Sequence, residues 1–407
     1  MRKQTLPILL LLVSLAMMFG ACEDFTSSVD PFIDRVEDER LTSESQVEFL
    51  INGVQTRFST AIDQILVPVE LLSDGMYFNT NLPGATYETF AEIDEGDIPI
   101  DNSSVHNPTL DLGELRYFAD YLVERVGTID FTDAALKERA LYTGYLYGGV
   151  ARFFIASYFG LTQEEGGGPI ENGPFIPSSE MYQLAIDRFT SAAQHTPDEA
   201  EKRIAHSMAA RCYLFLGDYA NARTHAEQGM VDGDEPFQSL NSPESDNYFW
   251  QQAGAGRTQA GADHRYKVYI DEDPAEAGRV LIAPVTGNDD STYYRQDKYP
   301  IDASPISHIT WQENELMLAE LDLRAGNAAG ALSRINAVRA SHGIGDLAAV
   351  DMQTIIVERD KELCFSGIRL IDQRRFDAEY GTWHLGPGSW KYLPIVERER
   401  NINPYID

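Results

Sequence analysis

Cysteine is scarce. The 407 residues carry three, Cys22, Cys212 and Cys364, with no C-x-x-C pair and no Cys/His spacing of the zinc type. That excludes a disulfide framework and a zinc module, and Cys212 and Cys364, each within an apolar helix-like stretch, read as small buried hydrophobes. Positive charge is also in short supply, 32 Lys and Arg against 64 Asp and Glu, for a formal net charge of −32. Such a surface repels phosphate backbones and has no counterions to release on them, so no nucleic-acid partner is expected. It gives no electrostatic hold on anionic lipid either. Beyond the first twenty residues, no apolar run is long enough to span a bilayer. Catalytic signatures are missing as well. There is no G-x-S-x-G, H-E-x-x-H or Walker loop, Gly254-Ala255-Gly256 lacks the third glycine of a dinucleotide fingerprint, and Gly166-Gly167-Gly168-Pro169 is not followed by Lys-Ser/Thr. Asp271-Glu272-Asp273 and Asn288-Asp289-Asp290 lack EF-hand spacing and read as solvated turns. His206 and His225 fall at helix positions and read as structural. No catalytic residue, metal ligand or cofactor is assigned.

What is present starts at the N-terminus. Arg2 and Lys3 precede an apolar run over residues 6–18, and Phe19-Gly20-Ala21-Cys22 follows. The run is short for a spanning helix and resembles a signal peptide ending in a lipobox. Residues 1–21 are therefore expected to be removed and Cys22 to carry the lipid that holds the protein on the membrane. Residues 22–42 then form a tether. Its Glu23-Asp24 reads either as a surface-export signal of the Bacteroidetes type or as a plain solvated linker.

The body, 43–407, is patterned for helices. Val47, Leu50, Ile51, Val54, Phe58, Ile62, Ile65 and Leu66 recur at helical spacing across 43–72, and similar periods run over 112–126 and 133–159. Residues 74–107 look like loop, punctuated by Pro83-Gly84 and Glu95-Gly96-Asp97. Ala210, Gly217, Tyr219 and Ala222 fit a tetratricopeptide helix pair, in which alanines allow close helix approach. Ala319, Gly326, Ala328 and Ala331 repeat those offsets. The expected fold is all-α, a tetratricopeptide-like superhelix with helix pairs near 179–230 and 308–340. Between them, 232–307 reads as a loop-rich insertion that forms the ligand-binding face.

The C-terminal third carries the most specific pattern. It contains Trp311-Gln312-Glu313-Asn314-Glu315-Leu316-Met317-Leu318-Ala319-Glu320 and Ala331-Leu332-Ser333-Arg334-Ile335-Asn336-Ala337-Val338-Arg339. Glu358-Arg359, Glu362-Leu363, Phe365, Gly367, Arg369, Asp372 and Arg374-Arg375 follow, then Leu393-Pro394-Ile395 and Asn401-Ile402-Asn403-Pro404. In this order they resemble the late helix pair, the charged helix and the closing motif of SusD/RagB outer-membrane proteins. Upstream, Ala209-Ala210-Arg211-Cys212-Tyr213-Leu214 and Leu72-Ser73-Asp74 resemble earlier segments of the same family. The resemblance implies a lipid-anchored outer-membrane protein at the cell surface. Such a protein binds glycan or peptide nutrients and delivers them to a SusC-like TonB-dependent transporter, without catalysis. Two rivals are a lipid-anchored helical adaptor for envelope assembly, which needs no ligand cleft, and a surface glycan-degrading enzyme. The enzyme needs a buried carboxylate pair in a groove.

Sugar rings lie flat on aromatic faces while polar neighbours bond the hydroxyls. Trp250, Tyr77, Phe78, Tyr293, Tyr294 and Trp383 fall in loop-like sequence and are the candidate ligand contacts, with Trp250 foremost because Asn247, Gln251 and Gln252 flank it. Trp311 reads as core. Glu358 and Glu362 stand one turn apart, as do Arg369 and Asp372, so ion pairing within and between helices accounts for these charges.

Overall fold

The structure, a computed structural model, describes residues 43–242 and 247–406. The expected signal peptide, Cys22 and tether lie outside them. Residues 47–407 make one compact unit, and the N-terminal unit is described only at its end, a 3-10 turn over Glu44–Gln46.

Fourteen α-helices occur among the described residues. They are α1 (Val47–Leu72), α2 (Glu88–Asp94), α3 (Ser103–Val126), α4 (Ala134–Tyr158), α5 (Ser178–Gln194), α6 (Glu199–Leu216) and α7 (Tyr219–Ala226). After these come α8 (Tyr248–Ala253), α9 (His264–Glu272), α10 (Trp311–Arg324), α11 (Ala328–Ser341), α12 (Met352–Glu362), α13 (Ile368–Tyr380) and α14 (Glu397–Ile402). Strands are short and occur only in pairs. β1 (Met76–Phe78) runs antiparallel to β6 (Ala260–Ala262), β3 (Gly167–Gly168) to β4 (Ile176–Pro177), β5 (Phe237–Gln238) to β9 (Ser307–Ile309), and β7 (Ile282–Thr286) to β8 (Thr292–Gln296). β2 (Phe159–Gly160) pairs in parallel with β10 (Leu393–Pro394).

The axis of the core is α1. Every residue of its last two turns, from Ile65 to Leu72, is buried, because α3, α4 and α8 pack around it. Side-chain caps set where the neighbouring helices start. Asn102 accepts the amides of Ser104 and Val105 at α3, Asp133 those of Ala135 and Leu136 at α4, and Asp198 those of Ala200 and Glu201 at α6. The two sequence repeats end their first helices alike. Gly217 and Gly326 take the left-handed backbone (φ 76° and 79°), and Asp218 and Asn327 then cap α7 and α11. The helices α4 to α7 pack in succession, and α10 lies against α6 and α7.

The link between the repeats is polar and buried. Arg211, wholly out of solvent on α6, donates through Nε to Glu313 Oε1 (2.7 Å) and through its Nη2 to Glu313 Oε2 (2.5 Å) and the His308 carbonyl (2.6 Å). Asn314 donates to the carbonyls of Ala226 and Met230 at 2.9 Å, tying the end of α7 to α10.

Some sequence expectations give way. Residues 74–107 hold β1, α2 and the start of α3, and 232–307 holds α8, α9 and β5 to β8. Elements of three to nine residues contain too few periods to register as periodicity. The charged motif on α12 and α13 is internal, as expected, with different partners. Arg369 donates to Asp74 (2.6 and 2.8 Å), across to the turn after α1, while Asp372 takes Arg359 (2.7 Å) and Arg375 (2.9 Å). The arginine reaches off its own helix, so the one-turn spacing to Asp372 is not a pair.

Candidate functional site

A groove of about 270 Å³ opens where α1, α2, α3 and α8 meet, and its floor is built by two prolines. Pro68 in α1 and Pro108 in α3 have no N–H to give to the carbonyls of Gln64 and Ser104, four residues back. All four residues line the groove, and the carbonyls of Gln64 and Ser104 lack the helical donor a non-proline residue would supply. The side chains of Thr89, Ser103 and Asn107 add hydroxyl and amide groups. Aromatic walls complete it. Tyr87 is 38 % exposed, stands edge-on to Phe90 (5.4 Å) and carries the Arg257 guanidinium 5.3 Å above its ring. Arg257 is itself held by Thr86 Oγ1 at 2.7 Å. Tyr248 forms the opposite wall from the first turn of α8, which Asp63 anchors by accepting the Tyr248 amide at 3.0 Å. Burial, with smaller contributions from Tyr87 and Asp63, pushes the Tyr248 phenol up to about 12, so it stays a neutral hydroxyl donor.

No carboxylate, amine or imidazole is among the described residues that line this groove. In a chain with twice as many acidic as basic residues, the cleft is neutral, hydroxyl-rich and aromatic. It suits a neutral ligand with many hydroxyls and offers no pair of carboxylates for glycoside hydrolysis. A second cavity, of about 180 Å³ between α3, α4 and the 168–172 loop, is walled mainly by Leu112, Ile155, Phe159 and Ile395. Its buried Arg116 is occupied by Asp120 (3.1 Å) and Glu171 (3.5 Å).

None of the six aromatics expected from sequence lines the groove. Trp250 lies on α8 rather than in a loop, two residues beyond Tyr248. Its indole Nε1 donates to the Pro300 carbonyl at 3.1 Å, and its ring packs on Gly256, where a Cβ would come within 3.2 Å. Tyr77 and Phe78 lie on β1, and Tyr293 and Tyr294 on β8, again not in loops. The two strands are neighbours of β6, which pairs with β1 and packs on β8, and Tyr77 comes near Tyr293. Tyr77 covers Gly261 and Tyr293 covers Gly287, glycines whose Cβ would fall 3.0 and 2.4 Å from the rings. Burial first, then the Tyr293 phenol and the acids Asp263 and Asp94, push Tyr77 up to about 12. Asp94 accepts the Phe78 amide at 3.1 Å, and burial raises it to about 6 despite that bond. Trp383 stands apart in the loop after α13, its Nε1 on Ser389 Oγ at 3.3 Å. Sequence reading missed Tyr87, Arg257 and the two proline-exposed carbonyls. Proline inside a helical period, at 68 and at 108, was the available signal.

The sequence profile of the SusD family matches residues 286–405. Among curated proteins none matches the chain significantly. Solved structures share the fold over most of its length. A SusD superfamily protein of Bacteroides thetaiotaomicron is 16 % identical over 89 % of this chain and 98 % of its own, with a TM-score of 0.74. Surface glycan-binding protein A of Bacteroides uniformis is 16 % identical over 89 % and 99 %, at 0.67, and NanU of B. fragilis is 13 % identical over 93 % and 99 %, at 0.71.

Proposed function

The chain belongs to the SusD/RagB family, and from that premise we propose that it is a cell-surface glycan-binding protein of nutrient uptake. It holds a neutral oligosaccharide in the groove between Tyr87 and Tyr248. The observation that carries this reading is the lining itself, two tyrosines and two residues whose carbonyls lack their helical donor, without a carboxylate, amine or imidazole among the described residues. Sugar C–H faces pack on the rings and the hydroxyls donate to the carbonyls of Gln64 and Ser104. A peptide brings charged termini and side chains that this lining does not answer, so glycan is favoured over peptide. In the same reading Cys22 carries the anchor, and the ligand passes to a SusC-like TonB-dependent transporter. No helix among the described residues is long and apolar enough to cross a membrane. Nothing in the groove favours the enzyme or the adaptor.

Calorimetric titration with a panel of neutral oligosaccharides and of peptides tests the proposal. An oligosaccharide should bind the native chain and bind Tyr87→Ala and Tyr248→Ala more weakly, with the melting temperature little changed in Tyr87→Ala. Binding of peptides alone, or oligosaccharide binding indifferent to both tyrosines, would sink it.

A further inference from the structure

We propose that His206 on α6 and His225 on α7 form a chelating site for a borderline divalent transition-metal ion such as Zn²⁺, which clamps the first tetratricopeptide-like helix pair. Their Nδ1 atoms lie 3.1 Å apart, with ring centroids at 5.2 Å and planes inclined by 46°. Among the described residues, neither ring has a hydrogen-bond or ion-pair partner other than its companion. Both rings are half-exposed, so an ion reaches them from solvent.

The spacing fits a chelate. Two nitrogens bound to one ion at about 2.0–2.1 Å and 3.1 Å from each other subtend about 95–102° at the metal, between the octahedral and the tetrahedral angle. The ion then stands about 1.3 Å off the line joining them, so turning each lone pair by about 40° from the N···N direction converts the shared hydrogen bond into two metal bonds. Without metal, one ring carries its proton on Nδ1 and donates it to the other's lone pair. With metal, that proton moves to Nε2 and both Nδ1 lone pairs are given to the ion, so no proton is released when both rings start neutral. Burial lowers both pKa values, and His225 lowers that of His206 further, which keeps the rings in the neutral form a metal needs.

The pair is also held in place by the backbone. Gly217 in its left-handed turn and the Asp218 cap fix the approach of α6 to α7, and the Tyr213 ring, 5.3 Å away and tilted by 35°, backs His225. No third His, Cys, Asp or Glu completes a cluster among the described residues, so water supplies the remaining positions. Imidazole pairs suit zinc, nickel and copper and not magnesium or calcium.

The test is calorimetric titration of the untagged, chelator-stripped protein with ZnCl₂, alongside thermal unfolding. One ion should bind per chain and raise the melting temperature, while MgCl₂ does neither. His206→Ala and His225→Ala should each weaken zinc binding at least about tenfold and remove the thermal shift, with His106→Ala unaffected. No zinc binding by the native chain, or undiminished binding in both variants, overturns the proposal and leaves a plain imidazole–imidazole hydrogen bond. If the variants lose helical circular dichroism, the native chain still decides. Zinc should protect both histidines from diethyl pyrocarbonate, and equal modification with and without zinc counts against the site.

Discussion

Glu70 lies wholly out of solvent near the end of α1, its Oε1 accepting the Gly367 amide at 2.6 Å and its Oε2 without a hydrogen-bond partner. Burial raises its pKa from 4.5 to about 7, against the pull of the Gly367 N–H and of Arg265. A carboxyl whose folded pKa is raised favours the fold while protonated, so its contribution falls as pH climbs from about 4.5 to 7. Glu70→Gln removes that penalty and keeps the acceptor for Gly367. Its unfolding free energy should exceed that of the native chain increasingly from pH 5 to pH 8, by on the order of 3 kcal/mol at the top, read by denaturant unfolding at each pH. A gap that stays constant across this range would contradict the assignment. Glu320 has the opposite sign. Burial would raise it, yet Arg375 first, then Arg359 and Arg324, outweigh burial and hold it at about 2. Its stabilisation is present above about pH 4.5 and is lost as pH falls toward 2. In the proposed reading Tyr87 and Tyr248 act on the ligand instead. Each change to Ala should cost at least about 1 kcal/mol of oligosaccharide affinity, more than fivefold in Kd, while Tyr248→Phe isolates the share owed to the hydroxyl.

Between elements, the joint of α6 with α10 is the most exacting. Arg211 and Glu313 exchange a two-pronged bond with essentially no water nearby. Arg211→Met strands the Glu313 carboxylate in the core and should cost about 3–5 kcal/mol in denaturant unfolding, whereas Arg211→Met with Glu313→Leu should recover most of it. A double variant as unstable as the single one would show that helix packing, not charge, holds the joint. The long helices and both hairpin glycines were legible in sequence, because 26 residues at helical spacing and a Gly-Asp or Gly-Asn turn are local signals. The groove was not legible. It assembles α1, α2, α3 and α8, and its decisive polar atoms are main-chain carbonyls, which no residue type announces. Trp250 closes the aromatic run Tyr248-Phe249-Trp250 between amide side chains, yet its N–H is spent on Pro300 and the tyrosine two positions earlier lines the cleft. The neighbourhood of Tyr77, Phe78, Tyr293 and Tyr294 depends on packing across residues 76–78, 260–262 and 292–296, which sequence does not announce.

For the molecule as a whole, the proposed lipid on Cys22 would account for how so acidic a chain is held at a membrane. Cys22→Ser should shift the protein from the membrane to the soluble fraction and remove an acyl mass from its N-terminus, and full retention of the variant on membranes would contradict the anchor. The pairing of β2 with β10 has a consequence in time. Arg400 donates to the Leu161 carbonyl at 2.7 Å, and Asn403 to that of Gly173 at 2.9 Å, across 239 and 230 residues of sequence. Gly160 also accepts the Ile395 amide. While the chain emerges, the segment that follows α4 therefore waits, its backbone partners unmade, until nearly all the remainder has been synthesised. Closing so long a loop is slow, and the exposed edge at Phe159 is an invitation to mispairing in the interval. The segment from Leu393 to Asn403 would thus act as a late latch, and until it docks the helical body stays open to proteases and chaperones.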